Sequence, residues 1–137
     1  MNMNTQQLLN VLKNDDASLD TLLEKIPDLT FVDYLQYLIS QSPLSKGDII
    51  KNSTLDRTYC YQIIEGRRLP SKDKVIALAI GMHLDLDDTD RLLKLANQGT
   101  LYSKVKRDAL IIYAISHHYD MMKTNELLYE YDFELIK

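Results

Sequence analysis

Apolar residues recur at helical spacing along most of the chain. The clearest segment carries them at i, i+3, i+4, i+7 and i+8, the pattern of one helix face, at Phe31, Tyr34, Leu35, Leu38 and Ile39. Thr30 and Asp33 form a capping-box-like start before this run, and Pro43 ends it. The pattern therefore predicts an amphipathic helix that begins next to Thr30.

Helical patterns with their own start and stop residues follow on both sides of this segment. Further helices are expected over 5–13, 18–26, 46–52, 57–64, 105–116 and 124–131. Ser71 starts another helix, which buries Val75, Leu78, Ala79 and Met82. Asp87 or Asp88 starts one that runs towards Ala96. No segment reads as a strong strand, so the sequence predicts an all-α protein.

Composition and charge narrow the class of protein. Hydrophobic residues make up 45% and charged residues 26% of 137 residues, and Cys60 is the single cysteine. These values are typical of one globular domain in a reducing compartment. No apolar stretch reaches the length of a membrane span, and no basic-then-apolar leader stands at the start. We therefore expect a cytoplasmic protein.

The residues do not indicate an enzyme or a metal protein. We find no glycine-rich phosphate loop and no plausible Ser-His-Asp set. His83 and the His117–His118 pair lack metal-ligand spacing, and the acidic run from Asp85 to Asp90 lacks the glycine and glutamate of a calcium loop. We expect no catalytic residue, no metal, no cofactor and no small-molecule substrate.

Charge is distributed unevenly along the chain. The net charge is -4, but residues 43–74 hold seven basic against four acidic residues, a balance of +3. The first 29 residues have a balance of -3, which phosphates would repel. The basic middle is therefore the candidate for a nucleic-acid surface, and the acidic segment is expected to pack on the domain or on a partner.

Residues 45–70 carry the most specific pattern. Two short helices joined by three residues match a helix-turn-helix unit, whose second helix enters the major groove of DNA. The second helix would bury Cys60, Ile63 and Ile64. Its outer face would present four candidate base contacts, Arg57, Thr58, Tyr61 and Gln62. Four nearby cations are candidate phosphate contacts: Lys46, Arg67, Arg68 and Lys72.

Residues 31–96 resemble the Cro/C1-type (XRE-family) helix-turn-helix domain. The resemblance rests on Leu44-Ser45-Lys46, Asp48-Ile49-Ile50, Leu55-Asp56-Arg57-Thr58-Tyr59 and the stretch Ile64-Glu65-Gly66-Arg67-Arg68-Leu69-Pro70-Ser71. It implies a five-helix, lambda-repressor-like domain that acts as a dimer, with Arg57, Thr58, Tyr61 and Gln62 facing DNA. Ile50 and Thr54 depart from the small residue and the turn glycine that are usual in the family.

The organisation that follows has three parts: a helical extension over 1–29, a helix-turn-helix domain over 30–98 and a helical extension over 99–137. The leading hypothesis is a transcriptional regulator that binds double-stranded DNA. The alternative is a helix-turn-helix-fold module, or an antitoxin-like protein, that binds a partner protein. The segment 105–116 is apolar nearly all round, so we expect either the N-terminal helices or the second subunit of a homodimer to cover it, and favour the homodimer.

Overall fold

The computed structural model describes residues 5–14, 19–26 and 28–137, and these residues form nine helices. The helices before the basic middle are α1 (Thr5–Asn14), α2 (Leu19–Lys25) and α3 (Phe31–Gln41). The remaining helices are α4 (Lys46–Ser53), α5 (Arg57–Ile64), α6 (Lys72–Gly81), α7 (Leu86–Leu95), α8 (Lys106–Ser116) and α9 (Met121–Glu130). The described residues contain no strand, which confirms the all-α prediction. Ser18, the predicted start of the second helix, lies outside the described residues.

Side-chain caps fix where several helices begin. The hydroxyl oxygens of Thr30 and Ser45 accept a hydrogen bond from a backbone N–H three residues on, each at 3.1 Å, and the Asp56 carboxylate does the same at 2.9 Å. Thr30 was predicted as a helix start from its place before the apolar run. The predicted start of α7 was wrong, because Asp85 is its cap and accepts from the Asp88 N–H at 2.8 Å.

Helix α6 is the central element of the core. Every residue from Val75 to Gly81 is buried, because the helix packs against α4, α7 and α9. Gly81 is what allows α6 to approach α4 so closely. A Cβ atom at this position would lie 2.8 Å from the carbonyl oxygen of Ile49 and 2.9 Å from the amide nitrogen of Ser53. The Asn52 side chain fixes the same contact by donating to the Gly81 carbonyl at 3.2 Å.

Helices α6–α7 and α8–α9 form two hairpins that repeat one another at an interval of 35 residues. Ala79, Ile80, His83 and Asp85 have the counterparts Ala114, Ile115, His118 and Asp120 in sequence. The structural details recur as well. Thr89 and Thr124 are both fully buried and donate a hydroxyl to the cap carbonyl at 2.7 Å. Asp90 and Asn125 each accept from the backbone eleven residues on. The sequence prediction did not detect this repeat.

The two hairpins contact one another reciprocally. Lys72 of the first hairpin pairs with Asp108 of the second at 2.7 Å, and Arg107, the counterpart of Lys72, pairs with Asp73 at 3.0 Å. Helix α6 packs on α9 just as α8 packs on α7. Such mutual exchange of contacts is the mark of an isologous interface between two like units. The second hairpin therefore covers the first within one chain.

Helix α8 is buried on one side rather than all round. Ile111, Ala114 and Ile115 are buried, whereas Tyr113 is 47% exposed, so the expectation of a helix enclosed on several sides is corrected. Its apolar face is covered within the chain, and the homodimer stays a prediction without support from this helix. At the other end of the chain, α2 buries Leu22 and exposes Leu23.

Within the described residues, none of the helices combines the length and the apolar character that crossing a bilayer requires.

Candidate nucleic-acid interface

Helices α4 and α5 lie where the sequence predicted them, with a short link between them. Helix α4 ends at Ser53, and the next residue, Thr54, takes a left-handed backbone conformation with φ of 60°. This is the position where the resembled family uses glycine. Asp56 then caps α5. The chain therefore turns into α5 through a conformation that β-branched residues rarely adopt.

Three residues of α5 anchor it in the core. Cys60, Ile63 and Ile64 are buried, as predicted, and α5 packs against α3. The Gln36 side chain of α3 donates to the Ile64 carbonyl at 2.9 Å and so satisfies an acceptor at the end of α5. Burial raises the pKa of the Cys60 thiol, whose sulfur lies 3.8 Å from the Ser53 hydroxyl. This cysteine is therefore a protonated core side chain.

The four predicted base contacts lie along the outer side of α5. Arg57 and Thr58 are exposed, and Tyr61 and Gln62 are half-buried. Arg57 donates to the Tyr61 hydroxyl at 3.4 Å, with its guanidinium carbon 5.4 Å from the centre of that ring. The contact between Arg57 and Tyr61 thus links the first turn of α5 to its last turn. The Arg57 guanidinium group remains accessible to a partner.

The predicted phosphate contacts differ in what they already bind. Lys46 is exposed at the start of α4. Arg67 pairs with Glu65, and both side chains are at least half exposed. Arg68 donates its Nε to the Gln62 side chain at 2.6 Å, which joins a predicted phosphate contact to a predicted base contact. Lys72 instead pairs with Asp108, whose side chain is only 3% exposed, so it stabilises the junction between the hairpins.

The structure adds two residues to this surface. The half-buried ring of Tyr59 has the Arg68 guanidinium 5.3 Å and the Lys74 ammonium 5.4 Å from its centre. Such distances are typical of cation–π contacts. Lys74 was counted in the basic stretch but was not singled out, because its separation of 15 residues from Tyr59 gives no periodic signal. Arg68, in the segment between α5 and α6, and Lys74 of α6 therefore form a cationic surface around Tyr59 of α5.

Potential ligands for a metal do not converge in the described part of the chain. No group of three or more His, Cys, Asp or Glu side chains there is close enough to hold a metal ion.

Comparison of the chain with known proteins found no relative. No protein-family model, curated protein or solved structure matches the chain. The resemblance to the Cro/C1-type domain, and the five-helix arrangement that it implies, therefore stay predictions that rest on residues 31–96.

Proposed function

We propose that this protein binds double-stranded DNA in a sequence-specific manner and regulates transcription, with α5 in the major groove. The observation that carries the proposal is the outer face of α5, where Arg57 packs on Tyr61 and Gln62 is bonded to Arg68 of the cationic surface around Tyr59. Arginine pairs bidentately with guanine and glutamine with adenine. A helix that offers both side chains next to cations fits the base edges and the phosphates of one groove.

The hydrogen bond between Arg68 and Gln62 supports a division of roles on this surface. The Gln62 carbonyl oxygen accepts from Arg68, and its second lone pair and the amide N–H groups remain for a base. The guanidinium group keeps further N–H donors for a phosphate. Arg68 can therefore hold Gln62 in place for a base while it contacts the backbone itself.

The first experiment is a selection of bound genomic DNA fragments at near-physiological salt, followed by affinity measurements on the selected site. Arg57→Ala is expected to weaken binding to that site by about 1–3 kcal/mol, because a bidentate base contact is lost. Arg68→Ala should weaken binding to all sequences and lower the salt slope by about one. Lys94→Ala, an exposed charge on α7, is the matched control and should leave binding unchanged.

The same selection can also contradict DNA binding. If the selection returns no enriched site even at low salt, the DNA-binding proposal fails. The alternative, a module that binds a partner protein, then gains from a separate observation on the second hairpin. Tyr113 and Tyr129 are 47% and 76% exposed there, and tyrosine is enriched in protein-binding surfaces.

A further inference from the structure

An open cleft of about 400 Å³ lies next to the link between α4 and α5. Its walls come from the end of α4, the end of α6 and the start of α9. The lining residues are Lys51, Asn52, Thr54, Ile80, His83, Asp120, Met121 and Met122. The volume lies within the usual range for small-molecule sites, about 300–1,000 Å³. Nothing in the proposed DNA contacts uses this cleft.

The lining combines an apolar floor with charged groups of both signs. Ile80 and Met121 are 4% and 2% exposed, and Met122, at 72%, is a flexible apolar side chain beside them. The Lys51 ammonium makes no ion pair with any other described residue. Asp120 uses Oδ1 to cap α9, which leaves its Oδ2 for a ligand. The cleft therefore offers a cation, an anion and apolar area together.

We propose that this cleft binds a short zwitterionic peptide with apolar side chains, of about the size of a dipeptide. The peptide carboxylate pairs with Lys51 and its ammonium group pairs with Asp120. The apolar side chains pack on Met122, over the floor that Ile80 and Met121 form. Charge complementarity selects a ligand that carries both signs, and the apolar floor selects against a ligand without side chains.

The position of the cleft links peptide binding to the proposed DNA binding. This link rests on the proposed function, whereas the peptide site does not. Thr54 lines the cleft and is also the left-handed residue that directs the chain into α5. Asn52 lines it and holds α4 to the Gly81 carbonyl of α6. A peptide in the cleft contacts the groups that fix α5 relative to α4 and α6. Peptide binding therefore changes DNA affinity, and DNA binding changes peptide affinity by the same factor.

Calorimetry on the whole chain tests the site itself. The probes are Leu-Leu, its N-acetyl derivative, its C-terminal amide and Gly-Gly. Leu-Leu is expected to bind at least tenfold more tightly than each of the other three, because each lacks one of the three proposed contacts. No heat with Leu-Leu at millimolar concentration, or equal affinity for Leu-Leu and Gly-Gly, would overturn the proposal.

Variants then assign the contacts. Lys51→Met keeps a long side chain on an exposed helix position and should abolish the preference for the free carboxylate over the amide. His83→Ala alters a lining residue and should weaken Leu-Leu binding at least threefold. His118→Ala is its matched control, since His118 has the same φ of 58° but does not line this cleft. Unchanged binding in Lys51→Met, or equal losses in His83→Ala and His118→Ala, contradicts the site.

A final measurement separates this inference from the proposed function. Saturating Leu-Leu should change the affinity for the selected DNA site at least threefold. Unchanged DNA affinity overturns the coupling. If Leu-Leu binds as described but the chain selects no DNA, the peptide site stands and the DNA-binding proposal alone fails.

Discussion

Single residues with left-handed backbone show where this chain departs from local preference. Outside glycine, the described residues with positive φ are Thr54, His83, Asn97, His118 and Asp132. Four of the five are Asn, Asp or His, the types that tolerate this region best. Thr54 is the exception, since its branched Cβ is crowded there. The resemblance to the Cro/C1-type domain predicts a turn glycine where Thr54 stands, and the structure gives Thr54 a glycine-like φ of 60°.

Thr54→Gly is therefore expected to stabilise the protein by about 0.5–1 kcal/mol. Relief of left-handed strain gains about 1–2 kcal/mol, and the larger entropy of unfolded glycine offsets part of it. Denaturant unfolding measures the change. Asn97→Gly is the control and should have a smaller effect, because asparagine already tolerates a φ of 60°. A destabilised Thr54→Gly protein would show that the threonine side chain itself stabilises the link.

Cys60 gives a second prediction at this scale. The side chain is fully buried, and burial raises its pKa from the ordinary value of 9.0. The folded protein thus holds the thiol protonated, while the unfolded chain ionises it at lower pH. The contribution of this group to stability is complete below the unfolded pKa and is lost as pH rises through the folded pKa.

Alkylation of Cys60 with iodoacetamide at pH 8 should therefore be slow in native protein and rise steeply through the denaturant transition. Mass spectrometry follows the modified fraction. Rapid labelling without denaturant would mean that α5 opens locally, which contradicts its place in the core.

At the scale of elements, most helix boundaries could be predicted from the sequence, whereas the contacts between the helices could not. Thr30, Ser45 and Asp56 each precede an apolar periodic run, so their capping role was predictable. The start of α7 was misplaced because several aspartates stand together there and all are chemically suited to cap. Tertiary packing decides between them: Thr89 is fully buried and bonds to the Asp85 carbonyl, which places the cap at Asp85.

Gly81 determines how closely α6 packs on α4. Gly81→Ala should destabilise the protein by about 1–3 kcal/mol, because the new methyl group would meet backbone atoms that have no room to yield. Chemical denaturation tests this value. Gly47→Ala is the matched control in α4, where the nearest atom would be the Ser45 hydroxyl at 3.8 Å. That variant should gain up to about 1 kcal/mol from helix propensity. Equal effects of the two variants would disprove the close-approach argument.

For the whole molecule, the duplicated hairpin was recoverable from the sequence but required a comparison of distant segments. The shared residues Ala79, Ile80, His83 and Asp85 and their counterparts recur once, after 35 residues, so helix-by-helix periodicity does not show them. Knowledge of the repeat would still not predict the two ion pairs between the hairpins, because they depend on which side chains the packing brings together. For the same reason Lys72 was assigned to phosphate, while the structure places it on Asp108.

The two crossed ion pairs should differ in their contribution to stability. Lys72→Met leaves the buried Asp108 carboxylate with the Tyr102 N–H but without its cation, which is expected to cost about 2–3 kcal/mol. Arg107→Met leaves Asp73, whose side chain is 29% exposed, and the loss of that pair should cost about 1 kcal/mol or less. Thermal and urea unfolding of both variants measure the difference. Equal costs would show that water reaches Asp108.

The reciprocal packing of the two hairpins has a consequence for dilution. A surface that a separate subunit covers becomes bare when the protein concentration falls below the dissociation constant. Here the covering hairpin is tethered through residues 96–105, so its effective concentration is set by a short segment of chain and not by the amount of protein. The face of α6 and α7 that the second hairpin covers is thus shielded equally in a dilute and in a concentrated solution.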